Sequence, residues 1–127
     1  MQRLITRFIK KWMQRERVTN AMLLQAIRDL EAGLSATDLG SGLFKVRMAR
    51  KGQGKSGGYR TLIVQRQDDR AIVVYGFKKS AQDNITNDEL VFFKEFATTL
   101  LALSARQIDV AIENAELYEI EEEADER

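Results

Sequence analysis

The segment from Phe44 to Phe77 contains three runs of residues with the pattern of β-strands. In the first run the apolar positions are Phe44, Val46 and Met48, and the positions between them are Lys45, Arg47 and Ala49. The second run, YRTLIVQRQ (59–67), is rich in β-branched residues, and the third, AIVVYGF (71–77), is the most apolar. Because the connections between them are short, and a parallel pair needs a long crossover, the sequence predicts an antiparallel sheet.

Helical periodicity precedes this segment. Apolar residues recur at helical spacing from the beginning of the chain, at Leu4, Ile5, Phe8, Ile9 and Trp12. A second helix is predicted to begin after the N-cap Thr19 and to end at Gly33. The two helices, joined by a short turn, indicate an α-hairpin, and residues 35–42 (SATDLGSG) are predicted to form a loop.

Two capping boxes follow the strand segment. Thr86-x-x-Glu89 predicts the beginning of one helix and Ser104-x-x-Gln107 the beginning of a shorter one. The residues LYEI (117–120) are a candidate edge strand. We therefore expect an α+β domain with a small antiparallel sheet of three main strands, a candidate fourth strand at the edge, an N-terminal α-hairpin and C-terminal helices. This single domain is predicted to span residues 1–118, and the acidic residues 119–127 are predicted to form a disordered tail.

The composition excludes several kinds of functional site. The chain has 127 residues with neither cysteine nor histidine, which excludes zinc ribbons, disulfides and imidazole-based catalysis. Residues 1–79 hold 17 Lys and Arg against 6 Asp and Glu, whereas residues 80–127 hold 3 against 13. This asymmetry favours an anionic partner for the first part of the chain. The longest apolar runs are too short to cross a bilayer, so we expect a cytoplasmic protein without a membrane partner.

The stretch GQGKSGGYR (52–60) is similar to the phosphate-binding loop of nucleotide-binding proteins. Counted back from Lys55 and Ser56, the frame has Ala49 where the first glycine of that loop would stand. A phosphate-binding loop must lead from a strand into a helix, because the helix N-terminus supplies amide donors. Here Gly57 and Gly58 are followed by the strand pattern YRTLIV, so the stretch is predicted to connect two strands.

The same stretch belongs to a dense group of cations. Residues 45–60 contain six basic residues and no acid, and the basic residues are Lys45, Arg47, Arg50, Lys51, Lys55 and Arg60. Lys78 and Lys79 follow the third strand. Such a group is typical of a site for a nucleic-acid backbone, where lysine and arginine replace condensed counterions. The alternative is a solvated sheet face beside a mobile loop.

The sequence LGSGLFKVRMARKGQGKSGGYRTLIV, followed by VVYGFKKS, resembles the RelE/ParE superfamily of bacterial toxins, in particular its RelE-like, HigB-type branch. The resemblance covers nearly all of residues 4–103 and centres on the pattern K-x-R, G-Y-R and G-F-x-K. It implies the toxin of a type II toxin-antitoxin system that cuts mRNA on the ribosome. It also implies a cognate antitoxin, expected to carry a helix-turn-helix DNA-binding domain.

The resemblance implies roles for individual residues. The expected catalytic residues are Lys45, Arg47, Arg60 and Lys79, and the expected RNA-binding residues are Arg50, Lys51, Lys55 and Lys78. Cleavage would proceed by attack of the RNA 2′-hydroxyl on the adjacent phosphate, without metal or cofactor. Some relatives have a tyrosine at the position of Ile85, and Tyr59 or Tyr118 could replace it in space. Two alternatives remain open, a ParE-like toxin that poisons DNA gyrase and a non-enzymatic nucleic-acid-binding regulator.

Overall fold

The computed structural model describes residues 2–50, 54–66 and 69–121, with the backbone alone for Arg50 and residues 54–57. It contains six strands and four helices in these ranges. In chain order they are β1 (Gln2–Thr6), α1 (Arg7–Glu16), α2 (Asn20–Glu31), β2 (Ala36–Gly40), β3 (Leu43–Arg50), β4 (Gly54–Arg66), β5 (Arg70–Lys78), α3 (Asn87–Ala102), α4 (Ala105–Glu113) and β6 (Leu117–Glu119).

The strands form one mixed sheet in the order β2-β3-β4-β5-β1-β6. Strands β3, β4 and β5 are antiparallel neighbours, as predicted from their short connections. Strand β1, however, pairs in parallel with β5. The α+β class is correct, but the predicted small antiparallel sheet of three main strands is wrong. The rule on short connections does not apply to β1 and β5, which are separated by most of the domain.

Two of the additional strands lie where the sequence predicted other structures. The helical spacing places Leu4 and Ile5 in the first helix, but the helix begins only after Thr6, whose hydroxyl accepts a hydrogen bond from the Ile9 backbone N at 3.2 Å. Leu4 and Ile5 are both buried because β1 lies between two strands and is covered on both faces, which removes the polar-apolar alternation. Strand β2, predicted as a loop, is an edge strand, and its two exposed residues are Thr37 and Asp38.

The remaining boundaries agree better with the sequence. Thr19, Thr86 and Ser104 are N-caps, and the capping boxes Thr86–Glu89 and Ser104–Gln107 are both formed. Strand β6 is the predicted edge strand at LYEI, and the backbone N of the buried Ile120 donates to the carbonyl oxygen of Arg3 at 2.9 Å. Residues 119–121, which the sequence places in the tail, therefore belong to the described structure, whereas the rest of the predicted tail, residues 122–127, lies outside the described residues.

The sheet separates two hydrophobic cores. On one side, here called the hairpin face, α1 and α2 cover the sheet with Ile9, Trp12, Leu23 and Ile27. On the other side, the α3 face, α3 and α4 cover it with Phe93, Ala97, Leu100 and Ile108. Among the described residues, no helix is both long and apolar enough to span a bilayer.

Candidate active site

Three basic side chains share the α3 face where β3 and β4 pair. Val46 and Met48 of β3 are buried in the hairpin-face core, so Lys45 and Arg47, which alternate with them, project from the opposite face. Arg60 of β4 lies directly opposite Arg47 in the strand register. Cross-strand partners project from the same face of a sheet. The register therefore brings together the three cations that the sequence placed on neighbouring strands.

Arg60 is the buried member of this group, with 7% of its surface exposed. Its Nη1 donates to the carbonyl oxygen of Tyr59 at 3.4 Å. Burial, and after it the charge of Arg47, lowers the pKa of Arg60 from its ordinary value, while the Asp83 carboxylate acts in the opposite direction. Because a guanidinium stays protonated in proteins, two like charges are held side by side here. A phosphate bound between them would relieve this repulsion and accept hydrogen bonds from both guanidinium groups.

The loop between β5 and α3, residues 79–86, adds groups to the same region. Lys45 Nζ donates to Asn84 Oδ1 at 3.2 Å. Lys79 Nζ lies 3.7 Å from Asp83 Oδ1, and Asp83 is also close enough to act on the pKa of Arg60. The loop thus brings Lys79 near the three strand cations. We call Lys45, Arg47, Arg60 and Lys79 the cationic site.

Sequence reasoning missed Asp83 and Asn84. Both are ordinary turn residues in the segment SAQDNIT, and no spacing in the sequence indicates that the loop returns to the strands. The Asp83 side chain is 94% exposed, so its ion pair with Lys79 is weak and a phosphate could replace it at little cost. Asn84 Oδ1 also accepts from the backbone N of Ile85 at 2.9 Å, which fixes the amide that holds Lys45.

Glu89 of α3 holds this loop in place. Its carboxylate accepts hydrogen bonds from the Thr86 backbone N at 2.8 Å, from Gln82 Nε2 at 3.0 Å and from the Tyr75 hydroxyl at 3.2 Å. Burial, and after it the charge of Glu89, raises the pKa of Tyr75, so its hydroxyl remains a donor at neutral pH. The capping box predicted from the sequence therefore has a second role, since it anchors the loop beside the cationic site.

Lys78 lies apart from the cationic site. Its cross-strand partner is Tyr59, which is buried in the hairpin-face core. Lys78 Nζ lies 3.5 Å from Glu16 Oε1 at the end of α1, and the Tyr59 hydroxyl donates to the Glu16 carbonyl oxygen at 3.2 Å. The structure therefore places Lys78 on the hairpin face, whereas its neighbour Lys79 turns toward the Asp83 carboxylate.

The rest of the predicted RNA-binding group lies outside the described side chains. Arg50 is paired with Gly54 through the backbone at the end of the β3–β4 hairpin, but the side chains of Arg50 and Lys55 and all of Lys51 are outside the described residues. Their proposed contact with RNA remains a prediction. The hairpin itself confirms that the glycine-rich stretch connects two antiparallel strands, which is not the context of a phosphate-binding loop.

The tyrosines are distributed over both faces. Ile85 packs against the α3-face core. Tyr59 and Tyr118, the two residues suggested as substitutes for a tyrosine there, both belong to the hairpin-face core or pack against it. Tyr75 lies on the α3 face, because it pairs across the sheet with the buried Leu62 of that core. In the part of the chain that the structure describes, no group of three or more acidic residues is arranged to hold a metal ion.

A match to a known protein family covers nearly the whole chain. A family model described as RelE toxin of RelE / RelB toxin-antitoxin system matches residues 1–120. The match spans all the strands and helices, and the chain therefore belongs to the RelE family of toxins. It is accordingly the toxin of a toxin-antitoxin system, and a cognate antitoxin is its partner. A search of curated proteins found no match.

Proposed function

We propose that this toxin is a ribosome-dependent endoribonuclease that cuts mRNA and thereby inhibits translation. The observation that carries the proposal is the pair Arg47 and Arg60, with one guanidinium buried, on a sheet face that also bears Lys45 and Lys79. Toxins of the RelE family are generally ribonucleases, which is consistent with such a site. The HigB-type branch suggested by the sequence remains part of this proposal.

The proposed reaction needs no group beyond the RNA and these side chains. The 2′-oxygen forms a bond to the adjacent phosphorus while the bond from phosphorus to the 5′-oxygen breaks, which leaves a 2′,3′-cyclic phosphate and a 5′-hydroxyl. One proton leaves the 2′-hydroxyl, and one is delivered to the 5′-oxygen. Negative charge accumulates on the phosphoryl oxygens as the bond forms, and donors fixed in advance at that position lower the barrier most.

The positions of the side chains suggest a division of roles. Arg47 and Arg60 would clamp the phosphoryl oxygens, because their planar forks match that geometry. Lys45 and Lys79 are ammonium groups that can donate to the leaving oxygen. Asp83, the only acid of the β5–α3 loop, could accept the proton of the 2′-hydroxyl after phosphate has displaced it from Lys79.

The test is a translation reaction with purified ribosomes in which the 5′ ends of the mRNA are mapped. We expect new ends inside the reading frame with the wild type and with Lys11→Ala, an exposed cation of α1 that serves as the control. A protein stripped by chelator before it is added to ribosomes should cleave equally well. If the mRNA stays intact while it is being translated, the proposal is contradicted. Loss of gyrase activity would then favour the ParE-like alternative, and binding of RNA without cleavage would favour the non-enzymatic regulator.

A further inference from the structure

An apolar groove that the proposed reaction does not use opens between the beginning of α1, β5, α3 and α4, with a volume of about 680 Å³. Five aromatic side chains line it, namely Phe8, Tyr75, Phe92, Phe93 and Phe96. We call this the aromatic groove. Phe92 keeps 58% of its surface exposed and Phe8 keeps 45%. Both nevertheless contact other rings: the ring centroids of Phe92 and Phe93 are 5.0 Å apart, and those of Phe8 and Tyr75 are 5.4 Å apart. A contiguous exposed apolar patch of this kind marks an interaction site in a soluble protein.

The charges around the groove restrict what can bind there. Asp88 and Glu95 of α3 lie four residues before and three residues after Phe92, so they flank it on the same side of the helix. Glu116 lines the groove directly. The segment 87–116 carries six acids and two bases, the reverse of the balance in residues 45–60. Arg7, the basic residue of the lining, already donates from Nε to the Ala115 carbonyl oxygen at 3.0 Å.

This acidic rim argues against two occupants. A nucleic acid would be repelled by it, in contrast to the cationic site. A second copy of the chain, related by two-fold symmetry, would bring the same acids against each other, and such like charges oppose association. A segment with apolar side chains for the groove and basic residues on either side would complement both features.

We propose that the aromatic groove is the docking site for a segment of the cognate antitoxin that combines apolar anchors with flanking basic residues. The family establishes that such a partner exists, and the groove and its rim supply the chemistry that would recognise it. The groove contains no residue of the cationic site, so the antitoxin can dock there without touching Arg60.

Binding of the purified cognate antitoxin to the full-length toxin tests the proposal. Phe92→Ser should weaken binding by about 10- to 100-fold, the loss typical of an aromatic anchor in a protein interface. Leu34→Ser is the matched control, since Leu34 is also exposed, at 55%, but lies in the α2–β2 connection and does not line the groove. We expect its affinity to stay within about twofold of the wild type, as is usual for residues outside the centre of an interface.

Charge provides a second, independent variant. Glu95→Lys should lower the affinity and reduce its dependence on salt, because a basic flank of the antitoxin would lose its partner. Native-like melting temperatures show that each variant is folded. Wild-type affinity of folded Phe92→Ser and Glu95→Lys would overturn the proposal. The proposal would also be overturned if the wild-type toxin self-associates through Phe92 while the antitoxin binds Phe92→Ser with normal affinity. Because binding and not cleavage is measured, the result does not depend on the proposed nuclease activity.

Discussion

Replacement of Arg60 by methionine should separate the activity of this toxin from its stability. Methionine keeps much of the length of the arginine stem but removes the guanidinium that faces Arg47. If Arg60 binds the phosphoryl oxygens in the transition state, the rate should fall by about 10²–10³, as it does when one preorganised donor to a developing oxyanion is lost.

The stability should change much less, because the terms that maintain Arg60 in the fold nearly cancel. The variant loses the hydrogen bond from the guanidinium to the Tyr59 carbonyl oxygen, which at 3.4 Å is long and contributes about 1.5 kcal/mol, the low end of the range for a charged donor. It gains a comparable amount because a buried guanidinium no longer lies opposite another cation. Asp83, at 94% exposure, becomes solvated without penalty. We expect the free energy of unfolding to stay within about 1 kcal/mol of the wild type.

The assay combines single-turnover cleavage of mRNA on ribosomes with thermal denaturation of the free protein. Arg60→Lys provides the intermediate case, since it keeps the charge but cannot form a bidentate clamp, and its rate should lie between those of the wild type and Arg60→Met. A variant Arg60→Met that is fully active would show that the guanidinium is not part of the reaction. A large loss of stability in proportion to the loss of activity would show instead that Arg60 is a structural residue.

Two further variants test the fold that supports the site. Gly76→Ala would place a methyl group 2.6 Å from the ring of the buried Trp12. We therefore expect the free energy of unfolding, measured with denaturant, to fall by about 1–3 kcal/mol. Unchanged stability would mean that Trp12 does not pack on β5 as described. Arg70, 2% exposed, donates from Nη1 to the carbonyl oxygens of Leu100 and Leu103 at the end of α3. Arg70→Met should cost about 2–4 kcal/mol in the same measurement, because these two carbonyl oxygens lose their donor and the helix C-terminus loses a favourable charge. A change below about 0.5 kcal/mol would refute this account.

The sequence predicted the central strands and the helix caps because their signals are local. Period-two alternation in β3 follows directly from one buried and one open face, and the box Thr86–Glu89 needs only four consecutive residues. Strand β1 could not be predicted in the same way. Leu4 and Ile5 are buried on opposite faces, so their pattern depends on partners contributed by β5 and β6 from the other end of the chain.

In the candidate site, too, the sequence predicted what depends on local patterns and missed what depends on distant contacts. Lys45 and Arg47 could be assigned to one face because side chains alternate along a strand. Whether Arg60 lies on the same face depends on the register of the hairpin, which the structure gives. The sequence assigned Lys79 to catalysis and Lys78 to RNA binding, but it could not show on which face each side chain lies. Strand β5 has one extra residue, Val74, where its pairing with β4 shifts between Leu62 and Ile63, and such a bulge changes the face on which later residues lie. The contacts of the β5–α3 loop depend on its path in space, which no spacing in the sequence encodes.

The aromatic groove and the cationic site have no residue in common, but Tyr75 connects them. Its ring lines the groove, and its hydroxyl donates to Glu89, which in turn holds Thr86 and Gln82 of the β5–α3 loop. Gln82 Nε2 also donates to the carbonyl oxygen of Asn84 at 2.8 Å. Asn84 is the residue whose side chain accepts a hydrogen bond from Lys45. A segment that docks in the groove and displaces the Tyr75 ring must therefore strain a hydrogen bond that anchors this loop. An antitoxin bound there would bias the position of the loop over the cations, and this route to neutralisation requires that the loop has two arrangements of similar energy.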